Sequence, residues 1–165
     1  MAYDGEFFWV GEYSADEDWG SRINRMDRNG EIDLVINVQG FELSGVAFDG
    51  EHLWYYSLGE GDQDERVVIR QITIEGEQIR AINCRDIFEG NQMSLAYVPE
   101  HEEGNLWVLD WESRELYQLD ISRDDPEIVQ QTQINGATVF GLEHDGENLW
   151  YCTVNDIGYV IDDGI

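Results

Sequence analysis

Hydrophobic positions in this chain fall into short runs separated by turn residues, and the order of the runs repeats four times. Each cycle opens on an apolar run: MAY at 1–3, GVAF at 45–48, MSLAY at 93–97 and VFGLE at 139–143. Three of these lead into an Asp-Gly pair (Asp4-Gly5, Asp49-Gly50, Asp145-Gly146); in the third cycle the turn is stretched over residues 99–104. Asp-Gly between hydrophobic runs is a strong hairpin signal, because the turn needs positive φ and Gly reaches it without a Cβ clash. An aromatic-rich run follows: FFWVGEY at 7–13, HLWYYSL at 52–58, NLWVLDW at 105–111 and NLWYCTV at 148–154. A polar loop then leads to a third run, at 22–27, 67–74, 115–121 and 158–162. A further turn leads to a fourth, at 31–38, 77–83 and 127–134. The apolar period is two, not 3.6, so the pattern predicts strands throughout and no helix longer than a turn.

Trp9, Trp54, Trp107 and Trp150 mark the same step of each cycle. A self-similar period of roughly 40–50 residues built of short strands is the signature of a propeller or related array. Runs such as LWYY and FFWV are continuously apolar, as expected where stacked sheets cover both faces of a strand. The expected fold is therefore all-β: a four-module β-propeller-type array of four-stranded antiparallel sheets. The modules span roughly residues 1–40, 41–88, 89–136 and 137–165 of a single domain. The sequence stops where the fourth strand of the last module would begin, so the last blade is expected to lack its outer strand. No Pro-, Gly- and Ser-rich linker divides the chain. The repeat tryptophans are expected to pack between modules.

The phrase GVAFDGEHLW, followed by strands like INRMD and the turn NGEI, resembles the blades of six- and seven-bladed propellers. It is closest in character to the NHL-type, gluconolactonase-like, glutamine-cyclotransferase-like and streptogramin-lyase-like groups. The resemblance covers nearly the whole chain. It implies the blade and not an activity, since these groups include both enzymes and binding scaffolds. The chain departs from them in size, with four modules against their six or more.

Charge changes the picture next. The 165 residues carry 36 Asp and Glu against 9 basic residues, a net charge of −27, and every basic residue is arginine. Such self-repulsion is relieved only by screening; the Debye length falls to roughly 3 Å at 1 M salt. The composition resembles that of proteins from halophilic archaea and their viruses. The acidic residues are spread along the chain, and a basic footprint for nucleic acid is absent. No apolar stretch approaches the roughly 20 residues of a membrane span. The N-terminus has no basic region and apolar run of the signal-peptide kind. The expected setting is the cytoplasm of a high-salt organism or a virion, with no membrane insertion.

Candidate chemistry is sparse. Three residues after each repeat tryptophan stand Glu12, Ser57, Asp110 and Thr153, which could form a ring on one face of the array. In gluconolactonase-like propellers, inner-strand carboxylates hold a divalent metal; the resemblance would assign that role to Glu12 and Asp110 alone. A metal site needs three or four converging oxygen ligands, so none is expected, nor is any cofactor. His52, His101 and His144 lie near the turns without a nucleophile placed beside them by motif, and read as surface turn residues. Cys84 and Cys152 read as small buried apolar residues. No G-x-S-x-G elbow or P-loop is present, and no catalytic residue is assigned. Two tryptophans stand outside the repeat: Trp19, in an acidic loop, and Trp111, after Asp110. Aromatics on loops suit a protein partner or a cell-surface glycan. The loops at 14–21, 58–65 and 111–114 vary most between modules, and binding residues concentrate on such loops. Trp19, Trp111, Asp110 and Glu12 are therefore the candidate binding residues.

These features favour a non-enzymatic binding or structural module that self-associates or joins another protein, a virion decoration or host-attachment component being one such assembly. The alternative is a lactonase- or lyase-like propeller enzyme with its site on the loop face. It would need three or more polar groups that break the repeat and meet in one place.

Overall fold

A computed structural model describes residues 1–12, 20–58, 67–88, 92–101, 104–123, 125–134, 139–153 and 159–161. Its elements are strands only. The first sheet holds β1 (Ala2–Tyr3), β2 (Phe8–Glu12), β3 (Ser21–Met26) and β4 (Ile32–Val38). The second holds β5 (Phe41–Phe48), β6 (Leu53–Leu58), β7 (Val68–Ile72) and β8 (Gln78–Asn83). The third holds β9 (Met93–Tyr97), β10 (Leu106–Asp110), β11 (Glu115–Asp120) and β12 (Glu127–Gln133). The fourth holds β13 (Val139–His144), β14 (Leu149–Thr153) and β15 (Tyr159–Ile161), with no fourth strand among the described residues. Within each sheet the strands run in chain order and pair antiparallel, each joined to the next as in a hairpin.

The hairpins between first and second strands are set by their glycines. Gly5, Gly50 and Gly146 have φ of 100°, 101° and 97°, a region that a Cβ strongly disfavours. The innermost strands β1, β5, β9 and β13 run along the inside of the array, each against the next. β5 approaches β9 so closely that a Cβ on Gly45 would lie 2.9 Å from the Met93 carbonyl oxygen, which is why the run GVAF starts with glycine. β5 begins four residues earlier than the apolar run indicates, with an irregularity between Phe41 and Gly45 that absorbs the extra chain.

Three cores lie between the four sheets. Trp9, Ala2, Ile23 and Ile36 of the first sheet meet Val46, Leu53 and Tyr55 of the second. Trp54, Ala47 and Tyr56 of the second meet Leu95, Leu106 and Val108 of the third. Trp107 and Ala96 of the third meet Leu142, Leu149 and Tyr151 of the fourth. Each junction thus has one design. The tryptophan of one module points forward, and the residues flanking the next tryptophan point back to cover it. β6 and β10, with a sheet on each side, are buried at every position, while β14 alternates buried and exposed. The outermost strands are largely exposed, β12 along its whole length. No helix among the described residues is long and apolar enough to cross a membrane.

Candidate functional site

The Asp-Gly turns do more than reverse the chain. Asp4 Oδ1 accepts hydrogen bonds from the backbone N–H groups of Glu6 and Phe7, at 2.8 and 2.7 Å, and its Oδ2 accepts from the Trp9 indole at 2.8 Å. Asp49 repeats this with Glu51, His52 and Trp54, and Asp145 with Glu147, Asn148 and Trp150. One carboxylate therefore closes the turn and satisfies the indole N–H, the polar group that a packed tryptophan must pair. Burial opposes ionisation of Asp4, but the three donors outweigh it and hold its carboxyl below the ordinary value. For Asp145 the Asn148 backbone N–H leads, with the Trp150 indole and Glu147 N–H adding to the same downward shift.

The third module has no aspartate at this step. His101 Nδ1 accepts from the Trp107 indole at 2.7 Å, which requires a ring unprotonated at Nδ1. His101 is buried against Trp107, which corrects its reading as a surface turn residue: the stretched turn folds inward to supply the missing acceptor. The cysteines also divide. Cys84 is buried, its thiol pushed up to about 12 by desolvation, but Cys152 is exposed, because the face of β14 that carries it has no sheet against it.

The second-strand residues expected to form a ring have unlike surroundings. Glu12 is exposed and accepts a hydrogen bond from Asn24 of its own sheet. Ser57 is fully buried; it donates to the Gln39 carbonyl and accepts from the Arg70 guanidinium at 2.7 Å. Asp110 is buried and its Oδ1 accepts from the backbone N–H groups of Glu112 and Ser113, closing the turn into β11. All four stand on second strands, one strand out from the inside of the array. Among the described residues no group of three or more His, Cys, Asp or Glu is placed to hold a metal. Trp19 and most of the loops at 14–21 and 58–65 lie outside the described residues.

Trp111 has a definite place. Its indole donates to Ser94 Oγ at 2.9 Å and its ring stands edge-on to Phe140 at 4.7 Å, so it links the third module to the fourth. It also walls a groove of about 490 Å³ that runs from the inner strands, at Gly45 and Leu95, onto the forward face of the fourth sheet. That face presents Phe140, Glu143, Trp150 and Cys152. Trp150 is 38 % exposed, against 1 % for Trp9 and 2 % for Trp54 and Trp107. Its expected place between modules is thus corrected: the turn and indole hydrogen bond form as in the other modules, but no following sheet covers the ring. Glu143 is the other departure. It pairs across the strands with Trp150, where Ala2, Ala47 and Ala96 pair with the other three tryptophans. Neither feature had a signal in the isolated motif; comparing the residue opposite each tryptophan would have found Glu143.

No protein-family model matches the chain, and no curated protein matches it in sequence. Solved structures do match in fold. Hydrazine synthase of Kuenenia stuttgartiensis superposes with a TM-score of 0.58 at 17 % identity, over 98 % of this chain and 44 % of its own. The PQQ-bound aldose sugar dehydrogenase of Streptomyces coelicolor gives 0.58 at 16 % identity, over 90 % and 53 %. The Pan2 WD40 domain of Neurospora crassa gives 0.53 at 9 % identity, over 84 % and 44 %. The chain spans about half the length of the solved structures it matches. At these identities the likeness concerns the fold alone: the chain is a β-propeller-type repeat protein with four modules, the last showing three strands among the described residues.

Proposed function

We propose that the chain is a non-enzymatic binding module that works within an assembly, docking through the forward face of its fourth sheet. One observation carries this reading. Trp150 sits in the same turn and makes the same indole hydrogen bond as the three buried repeat tryptophans, yet it stands open beside Phe140. Three times in this chain such a face is covered by the back of another sheet, and a stacked sheet with an apolar face is completed by another apolar surface. The polar groups expected of a lactonase- or lyase-like site give no matching support. Asp110 is committed to a turn, Ser57 to Arg70, and Glu12 to a separate exposed strand end.

The working medium belongs to the same reading. A net charge of −27 opposes both compaction and the approach of a like-charged partner, and molar salt removes most of that cost. We place the protein in a high-salt setting. Light scattering at about 2 M KCl tests the assembly: a species larger than the 19.1 kDa chain is expected. A 19.1 kDa particle persisting at high concentration would overturn the assembly reading. Thermal melts from about 0.1 to 3 M KCl should show a rising midpoint, and a flat or falling curve would remove the halophile reading.

A further inference from the structure

Arg70 is a buried cation without a carboxylate. It is 8 % exposed, in a chain that carries 36 acidic residues against 9 basic ones. Its Nη1 donates to Ser57 Oγ at 2.7 Å, and the Tyr55 ring lies beside it, 6.0 Å from the guanidinium carbon. No Asp or Glu among the described residues pairs with it. Its Nε is buried and meets no acceptor among the described residues. A guanidinium keeps its charge under all ordinary conditions, and burying such a charge unpaired is costly.

The first sheet faces Arg70 with a second such group. Arg70 pairs across the strands with Tyr55, so both point from the second sheet toward the first, into the core that holds Tyr55. Ser21 stands two residues before Ile23 on β3 and shares the face that Ile23 turns to the same core. Ser21 is 0 % exposed, and its Oγ has no partner among the described residues. The register puts both groups at one end of the junction. Ser21 pairs with Val38, and the next residue, Gln39, offers its carbonyl to the hydroxyls of Ser57 and Tyr55, at 3.2 and 3.3 Å. Those two hydroxyl hydrogens are thereby used. What remains on this side is a set of donors: the Arg70 Nε–H, with Nη2–H along the same edge of its fork, and the Ser21 hydroxyl. Burial pushes the Tyr55 phenol up to about 12, and Arg70 is the one charge among the described residues that acts on it, in the opposite direction.

We infer that Arg70 and Ser21 hold a small monovalent anion between the first and second sheets, either chloride from the medium or the carboxylate of a small organic acid. Donors gathered around a fixed positive charge suit an anion and repel a cation. The Nε–Nη2 edge presents two parallel N–H groups, the arrangement that takes a carboxylate bidentately and that a single halide can also bridge. The site gives the demand for salt a second part. Screening depends on ionic strength alone, whereas a bound anion stabilises the folded chain according to its identity and concentration. This inference is independent of the docking role given to the fourth sheet.

NMR of the whole chain, labelled at its arginine side chains, tests the site at constant ionic strength, with potassium sulfate replaced stepwise by KCl or by potassium formate. Arg70→Lys identifies the Arg70 Nε–H signal by its loss. In the wild type that signal should move saturably, as one site. Saturation by chloride alone assigns the halide, and tighter saturation by formate assigns the carboxylate. Ser21→Ala, which removes one buried hydroxyl and little volume, should weaken binding about tenfold or more, the scale of a hydrogen bond to a charged group. Melting supplies a second readout: as the anion is added at constant ionic strength, the wild-type midpoint should rise relative to that of Arg70→Met. An Nε–H signal that neither anion moves, or a Ser21→Ala chain of unchanged affinity, would overturn the two-sheet site. So would midpoints of wild type and Arg70→Met that shift in parallel, because a change in the medium alone moves both.

Discussion

Trp107 and Trp150 occupy the same step of the same repeat, and one is buried while the other stands open. Both lie in a second strand, and both donate their indole N–H to a residue of the preceding turn, at 2.7 and 2.6 Å, though that turn is stretched before Trp107 and tight before Trp150. The difference lies beyond the module. Trp107 faces Leu142, Leu149 and Tyr151 of the next sheet, whereas Trp150 faces a groove. A repeat therefore fixes how its tryptophan is held but not whether it is covered. Stability and interaction reside in the same residue type, at different positions in the stack.

Deleting the rings should separate the two cases most. Trp54→Ala and Trp107→Ala should each cost about 3–5 kcal/mol in denaturant melts, the usual range for a buried large aromatic. Trp150→Ala should cost far less when measured on dilute, unassembled chain. Equal losses at all three positions would mean that the fourth-sheet face is covered after all. A smaller effect tests the turn carboxylates. Asp49→Ala removes the acceptor for two backbone N–H groups and for the buried Trp54 indole, and should cost about 1–3 kcal/mol. Asp145→Ala should cost less, because water reaches both Asp145 and Trp150 and replaces the lost bonds. If the two substitutions proved equal, the turn rather than the covered indole would carry the energy.

Acid sharpens the comparison from another side. The carboxyls of Asp4 and Asp145 are held below their ordinary value of about 3.9, so between that value and the folded one the unfolded chain binds more protons. Their contribution is complete above about pH 4 and is lost as pH falls through the folded values. The indole N–H resonances of Trp9 and Trp150 should move in that window in NMR spectra taken in high salt. The Trp107 resonance, whose acceptor is a His101 nitrogen and not a carboxylate, should not follow them. A common transition for all three would point to global unfolding instead. The smallest effect is expected from chelation: EDTA should leave the melting midpoint unchanged, and a stoichiometric calcium site with micromolar affinity would revive the lactonase-like reading.

Much of the fold was legible because it is local. Strand β11 begins at the expected Glu115, and β8 and β4 end at the expected Asn83 and Val38. Alternation and Asp-Gly turns act over a few residues and need no distant partner. The candidate site was less legible. Trp111 could be marked as outside the repeat, but its bond to Ser94 and its edge contact with Phe140 join residues of different modules. Glu12 and Asp110 hold equivalent positions in the repeat but have unequal surroundings, one at an exposed strand end and one buried in a turn.

By itself the sequence determined the strands and their order in four sheets, because alternation and Asp-Gly turns depend on backbone sterics acting over a few residues. It also determined the charge, and with it the demand for screening. Only the tertiary structure decided that His101 turns inward to serve Trp107, that Cys152 is exposed while Cys84 is not, and that the Trp150 face stays uncovered. Those outcomes depend on what lies across each junction. Burial is a relation between two surfaces, and a repeating sequence describes only one of them at a time.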